Sequence, residues 1–432
     1  LRKPSRPISE INLAEWVEKA LQAAELSQAA CARQLSQALG RSIDRAAVNK
    51  MVKGARAVAA DELLALCRIT GALLPEAGHK SDRSKPLDLN ALRERYADAS
   101  GGQMYDPEFA RVAAGQFSGQ RRRWPFADPG TLLGAPYRPD AAKEDFAGLD
   151  VALIGVPMDL GVTNRAGARN GPRAVRAIER VGPFEHVLRR APLQALRVAD
   201  VGDIPLSSRY SLADCHADIE AFTAAVLSAG VVPLSVGGDH SISYSILRAV
   251  GAGRPVGMVH IDAHADTSGP YEGSKFHHGG PFRNAVLDGV LDPARTIQIG
   301  IRGGAEYLWE FSYESGMTVI HAEEFAAMGP EAVIARARAV VGDGPTYVSF
   351  DVDSLDPAFA PGTGTPEVGG LTTREALQVL RGLAGIDVVG ADVVEVAPQY
   401  DPTTNTAQAA AQVLFTQLCL VDIAREAAKN GR

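Results

Sequence analysis

From residue 146 onward, continuous apolar runs alternate with amphipathic ones, and that alternation constrains the fold more than any other feature. The runs are DVALIGVP, LRVADVGD, VVPLSVGGD, VGMVHIDAH, TIQIGIR, MTVIHAEE, PTYVSFDVD and DVVGADVVEVAP. Between them lie helical patterns such as ADIEAFTAAVLSAG and TREALQVLRGLAG. A strand with one wet face alternates apolar and polar residues, whereas a continuously apolar strand must be covered on both faces. Runs of this kind separated by helices predict an α/β fold over residues 146–432. It would be a mainly parallel, about eight-stranded sheet between two helical layers. In such sheets ligands bind beyond the carboxyl ends of the strands.

The first 145 residues have a different texture. Residues 1–82 are rich in Ala, Leu and Gln, with almost no strand signal. INLAEWVEKALQAAE carries Leu13, Trp16, Val17, Ala20 and Leu21 at helical spacing, and SQAACARQLSQALG opens on a capping Ser and closes on a stopping Gly. DRAAVNKMVKG and ADELLALCRITG repeat that start and stop, which predicts a small all-α domain of about four short helices. Residues 83–145 hold Gly, Pro and aromatics without a period and read as a linker and an arm lying on the next domain. The basic run Arg121–Arg123 within it reads as a solvated or interface cluster with some capacity for an anion.

Composition excludes several classes. The net charge of −7 argues against general nucleic-acid binding by the whole chain and leaves room for a local basic patch. Cys31, Cys67, Cys215 and Cys419 form no C-x-x-C pair, which argues against a thiolate zinc site or a disulfide framework and points to the cytoplasm. No apolar run approaches the ~18 residues of a membrane span, so no membrane partner is expected. The basic N-terminus lacks a following apolar segment and does not read as a secretory signal.

The strand ends carry the chemistry. In HIDAHAD, residues 260–266, Asp262, His264 and Asp266 stand at every second position, which in a strand aims them at one face. Like charges that close repel, and burial costs several kcal/mol unless a positive charge compensates. VVPLSV ends in Gly237, Gly238, Asp239 and His240. PTYVSF ends in Asp351 and Asp353, and the last strand ends in Glu395. Four strand ends thus bring imidazoles and carboxylates to one rim. Such ligands without thiolate suit Mn²⁺, with Ni²⁺, Co²⁺ or Zn²⁺ admitted by geometry. His240, Asp262, His264, Asp266, Asp351 and Asp353 are too many for one catalytic ion with an open position. They fit two ions about 3.5 Å apart that share carboxylates and activate water.

SVGGDHS, HIDAHAD, SFDVDSLDP and DVVEVAP resemble the signature segments of the ureohydrolase (arginase/agmatinase) family, over roughly residues 146–428. The resemblance implies an arginase-like three-layer fold and a binuclear, usually manganese, centre, with hydrolysis of a guanidino group to urea and an amine. It implies a first ion on His240, Asp262, Asp266 and Asp351, and a second on His264, Asp262, Asp351 and Asp353. Asp239 would then orient an imidazole ligand. It also implies a homo-oligomer, trimeric or hexameric. In SKFHHGGPF it makes His278 the proton shuttle, with Glu395 orienting the guanidinium and Asp266 counted with them as catalytic.

Arginases read the α-amino and α-carboxylate groups of arginine with polar residues at two places. Here those places hold Thr267, Ser268 and Gly269, then Gly303, Gly304 and Ala305, and the acidic partner of an α-amino group is missing. GVPMDLGVTNRAGARNGPRAVR and EVAPQYDPTTNTAQAAA look instead like agmatinases and guanidino-acid hydrolases. The expected substrate is agmatine, followed by 4-guanidinobutyrate, 3-guanidinopropionate or guanidine. Met158, Asp159 and Asn164 on the first strand's exit loop either line the entrance and touch substrate, or belong to a loop shaped for packing or subunit contact.

LSQAACARQLSQALGRSIDRAAVNKMVKGARAVAADELLALCRITG resembles a Cro/repressor-type helix-turn-helix. Arg41, Arg45, Lys50, Lys53 and Arg56 cluster around the would-be recognition helix, as contacts to DNA require. The segment joining the first two motif helices is about a turn longer than that pattern. Two roles stay open for residues 1–82, a DNA-binding domain and a helical cap used in assembly. A guanidine-sensing regulator could dispense with its ligands or its acid. This chain keeps all six ligands, His278 and Glu395, which favours an enzyme.

Overall fold

The computed structural model describes residues 13–24, 26–53, 87–98, 104–117, 129–178, 181–303 and 306–429, with individual positions between 56 and 70. Arg121–Arg123, Gly304 and Ala305 lie outside the described residues. The chain divides into two compact units, residues 1–101 and 102–432.

The first unit contains α1 (Leu13–Ala23), α2 (Gln28–Leu39) and α3 (Arg45–Val52), with further helical positions between 62 and 70. Ser27 caps α2 by accepting the Ala30 N–H, and Gly40 ends it at φ 63°. Asp44 caps α3 through the Ala47 N–H at 2.7 Å. Ser36 on α2 takes the Ile43 N–H at 2.8 Å, which pins the five-residue turn before α3. Val17, Leu21, Cys31, Leu35, Val48, Met51 and Leu66 close the core. Glu62 is fully buried, and the guanidinium groups of Arg41 (3.1 Å) and Arg56 (2.6 Å) neutralise it. These two arginines, expected as DNA contacts, are therefore engaged within their own unit. Arg45, Lys50 and Lys53 are exposed.

The second unit is built on eight parallel strands: β1 (Val151–Val156), β2 (Val198–Asp203), β3 (Val232–Gly237), β4 (Val256–Ile261), β5 (Leu291–Ile301), β6 (Thr318–His321), β7 (Thr346–Asp351) and β8 (Val388–Val394). Their order across the sheet is β2-β1-β3-β8-β7-β4-β5-β6. The continuous apolar runs are explained by burial on both sides. In β1, Val151 and Leu153 enter one core while Ala152, Ile154 and Val156 enter the other. The first core is covered by the helices Pro330–Val341, Thr373–Gly382 and Asn405–Lys429, the second by Leu212–Ser228, Ile242–Val250 and Pro281–Leu287. This is the three-layer arrangement that the alternation predicts. A reciprocal cap between Thr372 and Glu375 starts the helix 373–382. The β2 edge is closed by the arm, since Asp200 N–H donates to Pro136 O at 2.9 Å and Asp200 O accepts Arg138 N–H at 2.8 Å.

Helix Asn405–Lys429 corrects one sequence expectation. It is long and apolar enough to cross a membrane, yet 78% of its apolar window is buried inside the unit. Its composition is that of a helix surrounded by its own protein.

Candidate metal centre

The rim is formed by β3, β8, β7 and β4, which are neighbours in the sheet although they are distant in sequence. Beyond β3 the chain turns at Gly238, where a Cβ would stand 2.0 Å from the Met158 carbonyl oxygen, so only glycine fits. His240 follows. β7 delivers Asp351 as its last residue, and the Asp351 carboxylate receives the Asp353 N–H at 2.8 Å, closing a short turn that brings Asp353 to the same side. β8 delivers Glu395, whose N–H donates to Gly238 O at 2.9 Å.

The segment after β4 converges for a different reason than strand alternation. β4 ends at Ile261, so Asp262, His264 and Asp266 all lie beyond it, and Asp266 adopts a left-handed backbone at φ 53°. Glu395 is left-handed too, at φ 64°. For residues other than glycine such a conformation costs about 1–3 kcal/mol and persists only where surrounding structure imposes it.

The six side chains meet in two groups. His240 Nδ1 lies 3.0 Å from Asp262, 3.0 Å from Asp266 and 3.2 Å from Asp351, yet it makes no hydrogen bond of acceptable geometry and is fully buried. His264 Nδ1 lies 3.0 Å from Asp353 and 3.6 Å from Asp262. Asp262 thus belongs to both groups. A buried imidazole nitrogen ringed by three carboxylates without a hydrogen bond is the donor set of a cation. Charge agrees with that. Burial, with Asp353 and Asp262 alongside, pushes the Asp351 carboxyl well up, and burial beside Asp262 pushes Asp353 to about 6. Burial works against a charged His240, and Asp262, Asp266 and Asp351 outweigh it and raise the imidazole well above its usual range.

A buried polar row lies one layer deeper, which the sequence reading missed. In register across the sheet stand Ser235, Asp392, Ser349, His260 and Gln298. His260 Nε2 bonds Asp262 at 2.7 Å, and its Nδ1 receives Gln298 at 3.1 Å. His260 also stands near His240 and Asp262 as a third potential ligand. With both nitrogens committed, it acts as a buttress for Asp262. His240 Nε2 bonds Ser349 at 2.8 Å, and Ser349 donates to Asp392 at 2.8 Å. Ser349, not Asp239, therefore orients the His240 imidazole. Asp239 instead accepts the Gly161 N–H at 2.8 Å. Partners of this kind fix ring orientation and ligand basicity.

Beside the cradle, Glu395 Oε1 accepts the His240 N–H at 2.9 Å and pairs with His278 Nδ1 at 3.0 Å, while the buried Oε2 has no hydrogen-bond partner. Burial opposes charge on His278, and Glu395, helped by Asp266 and Asp239, outweighs it and pushes the imidazole up to about 9.

A cavity of about 560 Å³ opens over this site, lined among others by Tyr271, His277, Tyr307, Trp309 and Glu367. His277 bonds the Gly269 carbonyl at 2.8 Å. Ser268, Gly269 and Gly303 line the cavity, whereas Thr267 is buried against Ser312. Of the exit-loop residues, Met158 packs in the core, and the buried Asp159 carboxylate is taken by Arg169 and the Gly167 N–H. Asn164 donates to Gly364 O at 3.1 Å. The loop residue that reaches the site is Thr163, which lines the cavity.

The profile described as Arginase family matches residues 149–419. A guanidinopropionase of Pseudomonas aeruginosa is 54% identical over 294 residues, 67% of this chain and 92% of its own length. A mitochondrial agmatinase of Gallus gallus is 47% identical over 63% of this chain and 82% of its own. Among solved structures, a hypothetical agmatinase from Burkholderia thailandensis superposes with a TM-score of 0.66 at 36% identity, covering 72% of this chain and 98% of that one.

Proposed function

This chain belongs to the arginase family, and from that premise we propose that it hydrolyses a guanidino compound lacking an α-amino acid head to urea and an amine. The observation that carries the reading is His240 Nδ1 among three carboxylates, with the unpaired Glu395 oxygen beside it. His240, Asp262, Asp266 and Asp351 would hold one ion, and His264, Asp262, Asp351 and Asp353 the other. Mn²⁺ is the first choice and Ni²⁺ the second. Ions in this cradle supply Lewis acidity and bring the ionisation of water to neutral pH. Glu395 Oε2 accepts N–H groups of the planar guanidinium and orients its carbon. His278, protonated at neutral pH, gives its proton to the departing nitrogen.

The tail of the substrate is read by the cavity. Outside the cradle, Glu367 is the single carboxylate of the described lining. Arg302, the single guanidinium there, is spent on the carbonyls of Gly300, Asp353, Ser354 and Glu367. A cationic tail fits that balance, so agmatine comes first. The guanidinopropionase likeness makes the guanidino acids the second reading. Urea release from agmatine, 3-guanidinopropionate, 4-guanidinobutyrate, guanidine and arginine tests both. Arginine winning in kcat/KM would overturn the proposal.

We also propose that α2 and α3 form a helix-turn-helix-like DNA-binding pair. Arg45 and Lys50 lie on the exposed arc of α3, opposite its buried Val48 and Met51, the exposed Lys53 caps its C-terminal end, and the helix carries no carboxylate. Duplex affinity that falls steeply with salt, and falls further in R45A/K50A/K53A, is expected. Absence of binding at low salt leaves residues 1–82 as a cap. The domain boundaries proposed are 1–82, 83–145 and 146–432. A cytoplasmic homo-oligomer, trimeric or hexameric, completes the reading, and its mass in solution checks the assembly.

A further inference from the structure

His278 is held by more than Glu395. A carboxylate only accepts, so Nδ1 carries hydrogen and Nε2 is the nitrogen at which the ring gains and loses its proton. Two groups of one residue meet that nitrogen: the Thr163 N–H donates to Nε2 at 3.0 Å, and Thr163 Oγ1 lies 2.6 Å away. They act in opposite senses. The N–H can only donate, so it favours the unprotonated ring. The hydroxyl can turn, donating to a bare Nε2 or accepting from Nε2–H.

We infer that Thr163 is the positioning residue of His278: its backbone fixes the ring, and its hydroxyl is the acceptor that lets Nε2 carry a proton. This rests on the hydrolase reading. Thr163 is exposed while His278 is 8% exposed, and both line the cavity over the cradle. The charged groups facing His278 are Glu395 after β8, Asp266 after β4 and Asp239 after β3. None of them meets Nε2 in a hydrogen bond.

The loop is anchored to do this. Gly161 N–H donates to Asp239 at 2.8 Å, and the His278 N–H donates to Gly161 O at 2.9 Å. Arg165 donates to Thr363 O at 2.7 Å. Behind Asp239, Ser241 links to His216 Nε2 at 3.3 Å. The His216 ring stacks at 4.4 Å on Phe276, two residues before His278. One buried imidazole thus steadies both segments that grip the acid. Burial, with Lys275 nearby, pushes His216 down to about 3, so it stays neutral.

In the reaction the carbon–nitrogen bond of the tetrahedral carbon breaks and its electron pair passes to the departing nitrogen, which takes the Nε2 proton. The amine leaves and the ring is neutral, with both Thr163 groups free to donate to it. A solvent proton then restores the acid.

The test compares T163V with T163S in the Mn²⁺-loaded, full-length protein. T163V keeps the N–H and loses the acceptor. Its alkaline limb in kcat should move about one pH unit lower, with kcat down about 10-fold and KM nearly unchanged. T163S should restore both. Titration of the His278 ring by NMR in Zn²⁺-loaded protein should move the same way without any turnover. A KM rise alone, an unmoved limb and ring titration, or equal shifts in T163V and T163S would each overturn the inference. If the wild type releases urea from no guanidine while the ring titration still moves, the hydrolase reading fails and the Thr163 contact stands.

Discussion

Both units bury carboxylates, and the cradle treats its own in the opposite way from Glu62. In the first unit Glu62 is fully buried, and Arg41 and Arg56 from the same unit neutralise it. In the cradle of the second, Asp262, Asp351 and Asp353 are buried and Asp266 stands among them, and among the described residues the imidazoles of His240, His260 and His264, not guanidinium groups, face them. The lesson is one of balance. A buried charge that the chain compensates by itself is structural, while one left uncompensated is a demand for a ligand.

The largest effect expected from that contrast is in the cradle. Asp351→Ala, or chelation of the wild type, should remove more than about 100-fold of the activity, because even partners behind the ligands are worth 10–100-fold. Added Mn²⁺ should restore the chelated enzyme and not the variant. Full turnover in rigorously metal-free protein would erase the contrast.

The first unit should respond asymmetrically. R41A/R56A strips Glu62 of both guanidinium groups and should cost about 3 kcal/mol in denaturant unfolding of that unit. Glu62→Gln leaves two half-exposed arginines that solvent can hydrate, and should cost nearer about 1 kcal/mol. Equal costs would mean that Glu62 is not a compensated charge. Turnover should be unchanged in all of these, since every proposed ligand lies after β3.

His260→Asn sharpens the comparison from behind the ligands. Asp262 keeps its place but loses its buttress, so metal affinity by titration calorimetry should fall about 10-fold or more. The smallest effect is on pH. A general acid held near 9 is active below that value and lost above it, so kcat should fall about tenfold per pH unit on the alkaline side. A flat profile up to pH 10 would remove His278 as the acid.

The eight strands were legible because burial on both faces leaves a continuous apolar run, which few other structures require. The residues proposed as ligands stood out because His and Asp repeat at strand ends, though strand alternation accounts for only part of the convergence of 262–266. Strand alternation stops at Ile261, and a left-handed turn completes the convergence. The polar row was not legible. Ser349, Asp392 and Gln298 are polar residues with apolar neighbours on both sides in their strands, and only the register shows that they align. Met158 and Asp159 face inward because the exit loop folds back on the strand, a conformation without a periodic signature. Arg41 and Arg56 show the same limit: sequence displays a cation, not whether a buried carboxylate already holds it.

The left-handed backbones at Asp266 and Glu395 carry a consequence for engineering. Glycine adopts such conformations without steric strain; D266G relieves the backbone and thins the carboxylates around His240, whereas E395G gives up the bonds to His278 and the His240 N–H. D266G should therefore raise the melting temperature of the metal-free protein while abolishing catalysis, with about 1 kcal/mol coming from the backbone. A stabilisation campaign scored on heat resistance would be drawn to a position that the chemistry can least spare. It needs a turnover screen beside it to keep the enzyme it set out to harden.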